Sequence, residues 1–306
     1  MATNYMKIRF LFFLTLFATG TPAPLFAQSS GSLPDQIERI TAGKHALVGV
    51  AVAAADGKEV LTIQGDKRFP MQSVFKFHIA LAVLSAVDEG KFTLDQQVEI
   101  LKKDLLPGLW SPLREEFPEG GRFSIQSLLG YTVSQSDNVG CDALLRLLGG
   151  PQVVEGFIKK NQISDISIQI NEETMQSNWD LMFQNWTTPR AANEVLVKFY
   201  SNSQRQLSPE SHAFIWRLMR ETQTGAGRLN GQLPEGTTVA HKTGSSGTNE
   251  VGLTAAVNDI GIIFLPDGNY FYISTFITES TEDEATNDRL IADIARVCYD
   301  YFLTQP

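Results

Sequence analysis

The chain has 306 residues, 43% of them hydrophobic and 19% charged, the balance of a globular protein with a sizeable core rather than a disordered or fibrous chain. Its formal net charge of −9, with no basic run, excludes nucleic acid and anionic membrane surfaces as electrostatic partners. Four histidines at no ligand spacing and two distant cysteines, Cys141 and Cys298, make no metal motif.

Lys7 and Arg9 precede an apolar stretch over residues 10–20, and small residues follow up to Ala27. This is the pattern of a secretory signal peptide over residues 1–27, cleaved after Ala27, which predicts export to the periplasm with no membrane anchor left after cleavage. The apolar run is short for a bilayer span; a retained N-terminal anchor is the alternative. Export permits a disulfide, but Cys141 and Cys298 read more simply as buried small hydrophobes.

Residues 47–53 and 59–64 alternate like strands around an Asp56-Gly57 turn. Helical spacing of apolar residues then predicts helices over 73–89, 124–131, 139–148, 152–160, 191–200 and 209–221. Gly90 stops the first, and Gly149-Gly150-Pro151 separates two others. Residues 171–188 hold Met, Trp and several amides with no clear period, which suggests a functional loop. Strands return over 238–243, 252–264 and 270–278, the last two joined at Asp267-Gly268. A helix closes the chain over 282–302, and the acidic run 279–284 reads as its solvated start.

Strands at both ends with helices between them predict an α/β fold of two lobes, with an antiparallel sheet flanked by terminal helices. The expected organisation is one domain over residues 28–306. Its α/β lobe comes from 28–70 and 226–306, and an inserted all-helical lobe spans about 71–225. The natural site is the cleft between sheet and helices.

The chemistry starts at Ser73-Val74-Phe75-Lys76. Three residues apart on a helix, Ser and Lys share a face. A lysine that can lose its charge could then take the proton of a serine nucleophile. A chain this long carries about one S-x-x-K by chance, so support is needed. It comes from Ser136-Asp137-Asn138 at a helix junction and from Lys242-Thr243-Gly244 at a strand end, where Gly admits close backbone approach. His241 beside Lys242 is expected to face the other side of its strand. His78 is expected to be a core or boundary residue.

The three motifs together, in this order, are those of class A β-lactamases and penicillin-binding proteins. Over the whole mature chain the sequence resembles the class A serine β-lactamases, and within them the PER and VEB branch. The nearer likeness lies in residues 69–76, 136–142, 184–187 and 240–247. The resemblance implies ring opening of β-lactams through an ester on Ser73, with oxyimino-cephalosporins in the substrate range and antibiotic resistance as the outcome. It implies that Lys76 shuttles the serine proton, that Ser136 protonates the departing nitrogen, and that Asn138 binds the substrate's amide side chain. Lys242 and Thr243 would bind its carboxylate, with Gly244 alongside. Backbone N–H groups of Ser73 and Ser245 would form the oxyanion hole.

Glu172 would activate the deacylating water, with Glu173 as its competitor and a solvated loop carboxylate as the plain alternative; Gln176 would help hold that water. Arg228 would be a second carboxylate binder, against the alternative of a surface arginine. The Arg–Asp pair that closes this loop in many relatives is absent, its positions being Ile170 and Asn185. No cofactor is implied, the partners are small β-lactams, and the family is usually monomeric. The enzymatic rival is a DD-peptidase, which would share the motifs but lack the deacylating Glu; a β-lactam-acylated receptor is the rival from another class.

Overall fold

The computed structural model describes Met1 and residues 31–305; the expected leader and its cleavage after Ala27 fall outside the described residues. Residues Ser32–Pro306 cluster as one compact unit. Helix α1 (Leu33–Thr41) opens it, started by a reciprocal capping box between Ser32 and Asp35. Strands β1 (Leu47–Ala54), β2 (Glu59–Ile63) and the two-residue β3 (Phe69–Pro70) follow, then a 3₁₀ turn over Gln72–Val74 that runs into α2 (Phe75–Asp88). Strand β4 (Gln97–Leu101), the short helix α3 (Pro112–Glu116) and β5 (Gly120–Ser124) lead to α4 (Ile125–Ser134), α5 (Asn138–Leu148) and α6 (Pro151–Lys160). Next come β6 (Ile166–Ser167), α7 (Glu172–Ser177), a 3₁₀ stretch over Trp179–Gln184, β7 (Trp186–Thr187), α8 (Pro189–Ser201) and α9 (Pro209–Arg220). The chain closes with β8 (Val239–Ser245), β9 (Val257–Phe264), β10 (Tyr270–Thr278) and α10 (Glu284–Leu303).

The main sheet has the order β2-β1-β10-β9-β8, every neighbouring pair antiparallel. It is therefore built from both ends of the chain, as the strand pattern predicts. Both faces are covered, and side chains alternate between them. Val50, Val52, Ile263, Ile273 and Ile277 join Ile37 of α1 and Ile291, Ile294 and Cys298 of α10 in one core. Ile260, Ile262, Tyr272 and Phe276 join the helical side, with Phe77 of α2 and Trp216 of α9. Helix α2 is buried from Phe75 through Leu84, the signature of a helix enclosed on all sides. That enclosure sets Lys76 and His78 inside the protein.

Three differences from the sequence expectations have physical causes. The strand expected over 252–264 pairs only from Val257. Before it, Asn249 Oδ1 accepts the N–H groups of Val251 and Leu253, Ser246 Oγ accepts those of Ala255 and Ala256, and Gly252 has φ 81°. Side chains thus satisfy backbone groups that a ladder would otherwise take. The aperiodic segment 171–188 folds into one short helix, a 3₁₀ stretch and β7, each too brief to show a period. Helices α1 and α3 and the β4–β5 hairpin escaped the pattern; in β4 only Ile100 is buried, so its alternation carries little signal. Cys141 and Cys298 are both buried and free, in line with their reading as small hydrophobes.

Candidate active site

The position of Ser73, the expected nucleophile, is set by strain and close packing. Gln72, just before Ser73, has φ 46° and is buried, an unusual conformation for a residue with a Cβ. It turns the chain from β3 into the helix and leaves Ser73 at the helix start. Strand β8 passes directly against this turn. A Cβ on Gly244 would lie 2.5 Å from the Met71 carbonyl oxygen and 3.2 Å from the Ser73 nitrogen, so the approach requires glycine. Asn258 on β9 completes the junction by donating to the Pro70 and Met71 carbonyls at 2.8 and 3.1 Å.

Lys76 lies one helical turn beyond Ser73, with Nζ 2.8 Å from Ser73 Oγ. The same nitrogen lies 2.8 Å from the Ser136 carbonyl oxygen, against Asn138 Oδ1, and 2.8 Å from Glu172 Oε1. Four oxygens thus surround an ammonium that has three hydrogens. If one proton passes to Glu172, the remaining two can serve Ser136 and Asn138, and the lone pair can face the Ser73 hydroxyl. The arrangement is suited to moving a proton from serine to lysine.

Ser136 has φ 60°. This kink points its carbonyl at Lys76 while its Oγ accepts from Lys242 Nζ at 2.9 Å. Ser136 therefore bridges two lysines. Asp137 holds the kink in place: its carboxylate caps α5 through Gly140 N and accepts from Ser111 Oγ and Leu113 N. Lys242 is fully buried, and burial together with the nearby Lys76 charge holds its pKa well below the ordinary lysine value. Thr243 Oγ1 lies 2.5 Å from Thr224 Oγ1. As expected from strand alternation, His241 faces the opposite side, where Nδ1 lies 2.9 Å from the Asp259 carboxylate. His78 is buried, with Nδ1 3.3 Å from the Val74 carbonyl oxygen, and burial lowers its pKa to about 4.

Between the two loop carboxylates the geometry discriminates clearly. Glu172, the first residue of α7, is 1% exposed and meets Lys76; Glu173 points to solvent. Asp142 fixes this helix start by accepting from Glu172 N at 2.8 Å, Glu173 N at 3.0 Å and Asn171 Nδ2 at 3.1 Å. Burial pushes the Asp142 carboxyl up to about 6, opposed by those backbone donors. Gln176, four residues after Glu172 and so on the same helical face, lines the cleft.

The neck of the loop is closed by Asn185. Its Oδ1 accepts from Gln169 N at 2.8 Å and Ile170 N at 3.1 Å, and its Nδ2 donates to the Ile170 carbonyl at 2.8 Å. One neutral side chain thus does by hydrogen bonding what an ion pair would do between these positions. Pairing of β7 with both β3 and β6 ties the loop's end to the strand that leads into Ser73.

Arg228 is buried rather than a surface arginine. It donates to the Gly244 and Asn258 carbonyls, each at 3.1 Å, to Ser245 Oγ at 2.7 Å, and to Asp288 at 2.8 Å. It reaches the end of β8, with its charge already met by Asp288. Ser73, Ser136, Asn138, Gln176, Arg228, Thr243, Gly244 and Ser245 all line one cleft of about 500 Å³. A second cavity of about 530 Å³, near Glu59, Arg190 and Glu194, contains none of them.

Asp142, Trp110, Thr224 and Glu284 were not anticipated. Asp142 had a signal, because it follows Asn138 by one helical turn. Trp110, exposed on the cleft rim with Nε1 bonded to the Gln135 carbonyl, lies in an irregular stretch and gave none. Among the described residues no cluster of His, Cys, Asp or Glu could hold a metal ion, and no helix is long and apolar enough to cross a membrane.

The model of the "Beta-lactamase enzyme family" matches residues 32–302. "Beta-lactamase VEB-1" of Pseudomonas aeruginosa is 49% identical over 270 residues, covering 88% of this chain and 90% of that protein. "Extended-spectrum beta-lactamase PER-1" of the same organism is 44% identical over 289 residues, covering 94% and 90%. Among solved structures, a β-lactamase from Chitinophaga pinensis superposes with a TM-score of 0.85 at 43% identity, covering 88% of this chain and 99% of that one.

Proposed function

The chain belongs to the β-lactamase enzyme family, as a class A serine enzyme of the PER and VEB branch, and from this premise we propose that it hydrolyses penicillins and cephalosporins, oxyimino-cephalosporins included, through an ester on Ser73. One observation carries the assignment of roles: Lys76 Nζ stands 2.8 Å from both Ser73 Oγ and Glu172 Oε1. The same lysine thus connects the group that must lose a proton in acylation with the group that must take one in deacylation.

In acylation Lys76 passes a proton to Glu172 and takes the Ser73 hydroxyl proton. Oγ attacks the lactam carbonyl carbon. The charge that develops on the carbonyl oxygen is received by the N–H groups of Ser73 and Ser245, each such donor lowering the barrier by about 3 kcal/mol. The C–N bond then breaks and the nitrogen takes the Ser136 hydroxyl proton. Ser136 regains a proton from Lys76, and Lys76 recovers its own from Glu172. In deacylation a water gives its proton to Glu172 and its oxygen attacks the ester carbon. The C–Oγ bond breaks, Ser73 Oγ takes the proton from Glu172, and the opened acid departs.

Lys242, Thr243 and Arg228 bind the substrate's carboxylate, Asn138 its amide, and Gln176 helps to hold the water. Residues 1–27 serve as a signal peptide, and the mature enzyme, one catalytic domain of two lobes, works as a periplasmic monomer that confers antibiotic resistance. The test is turnover of a chromogenic cephalosporin by the purified protein and by Ser73→Ala. Continuous hydrolysis that is abolished in a normally folded variant is expected; one equivalent of stably bound drug, or residual turnover in the variant, overturns the proposal.

A further inference from the structure

Glu284 opens α10 and lines the same cleft as Arg228, Ser245, Ser246 and Gly247. Its side chain is exposed. Among the described residues it has no hydrogen-bond or ion-pair partner for its carboxylate, although the cleft it faces is lined with groups suited to an anion. In the first turn of α10 the carboxylate is favoured by the helix dipole, and at the mouth of an anion site it also repels a like-charged ligand and attracts a cationic one.

The local charges indicate that use. Arg228 is neutralised by Asp288, Nε to Oδ1 at 2.8 Å, and Asp288 stands one helical turn after Glu284 on the same face of α10. Arg228 can still donate a hydrogen bond to the substrate's carboxylate, and Lys242 is the positive charge left to balance it. Once that carboxylate is bound, Glu284 is the charge left without a counterpart at this end of the cleft. In a cephalosporin the C3 substituent is carried on the carbon next to the one bearing the carboxylate. It must therefore project from the same end of the substrate, the end where Arg228 bonds both Ser245 and Asp288, one helical turn from Glu284. Penicillins have no substituent there.

We propose that Glu284 is a specificity-determining residue that favours cephalosporins with a cationic C3 substituent, such as a pyridinium or quaternary ammonium group. This rests on the β-lactam-hydrolysing role of the cleft and names the substrate class within it. The interaction is electrostatic and partly solvated, so it is modest in size and sensitive to salt. It acts on capture of the substrate and appears in KM.

A matched pair of cephalosporins tests it: both carry the same thienylacetyl side chain, one with pyridiniomethyl and the other with acetoxymethyl at C3. The quantity read is the ratio of their kcat/KM values, which cancels everything the two share, including the carboxylate and the acyl group. In Glu284→Gln the pyridinium-to-acetoxy ratio should fall about five-fold, which is about 1 kcal/mol at 1.4 kcal/mol per factor of ten. In Glu284→Lys it should fall further. In the wild-type enzyme, which needs no variant to fold, the ratio should decline as salt rises toward 1 M, where the Debye length is about 3 Å. A ratio unchanged in Glu284→Gln, or insensitive to salt in the wild type, overturns the inference while leaving hydrolysis itself intact. Failure of the wild type to turn over either compound would instead remove the reading on which the inference rests.

Discussion

Replacing Asn185 with alanine tests whether a single amide holds the loop that carries Glu172. The substitution strands three partly buried backbone groups: the N–H groups of Gln169 and Ile170 and the Ile170 carbonyl. Each costs about 1–3 kcal/mol if left dry. Water can enter the space vacated by the amide and recover part of this, which leaves a net loss of about 3 kcal/mol. For a domain of this size each kcal/mol lowers Tm by roughly 2 °C, so thermal melts should show a fall of about 6 °C.

The kinetic effect should be selective, because Glu172 belongs to this loop and Ser73 does not. Deacylation should slow more than acylation, and mass spectrometry during turnover should find protein carrying one opened drug. Asn185→Asp sharpens the test. The new carboxylate still accepts from Gln169 and Ile170 N–H, but its second oxygen opposes the Ile170 carbonyl. That repulsion raises the folded-state pKa of the new carboxyl. Below that pKa the group is protonated, can donate to Ile170, and the loop should tighten again, so stability should recover as pH falls. An Asn185→Ala enzyme that melts within about 1 °C of the wild type, with unchanged deacylation, would refute the clamp and assign the closure to β3–β7–β6 pairing.

Glu172→Gln should accumulate the acyl-enzyme, with deacylation slowed by at least the roughly 100-fold typical of a lost general base; if Glu173→Gln accumulates it instead, the roles are reversed. Arg228→Ala should raise KM about ten-fold or more, in keeping with a charge-assisted hydrogen bond of about 1.5–3 kcal/mol. It should also lower Tm, since Asp288 and the Gly244 and Asn258 carbonyls lose their donor; an effect confined to kcat would contradict this role. Asp142 has a folded-state pKa of about 6 against the ordinary 3.8. The folded chain therefore binds this proton more readily than the unfolded one, and the group's contribution to stability falls as pH rises from about 4 to about 6, by roughly 3 kcal/mol at 1.36 kcal/mol per unit. Asp142→Asn should flatten that part of the Tm–pH profile, and an identical slope in both proteins would show that Asp142 does not titrate there.

Periodicity and short motifs were enough to determine that the sheet is built from both chain ends, that the middle is helical, and that Ser73, Lys76, Ser136 and Lys242 belong to one candidate site, which the fold brings together. These follow from local rules: a period of two or 3.6, a glycine where backbones approach, a serine and lysine one turn apart. The left-handed turns at Gln72 and Ser136, the choice of Glu172 over Glu173, the capping of α7 by Asp142 and the amide lock of Asn185 were decided only in three dimensions. Each depends on contacts between residues 15 to 188 positions apart, such as Asn185 with Ile170, Glu172 with Asp142, Lys242 with Ser136, and Asn258 with Pro70. Adjacent glutamates are alike in sequence; what separates them is that one faces a buried lysine and the other faces water. That difference is made by the packing of α2, α5 and α7, and no local pattern encodes it.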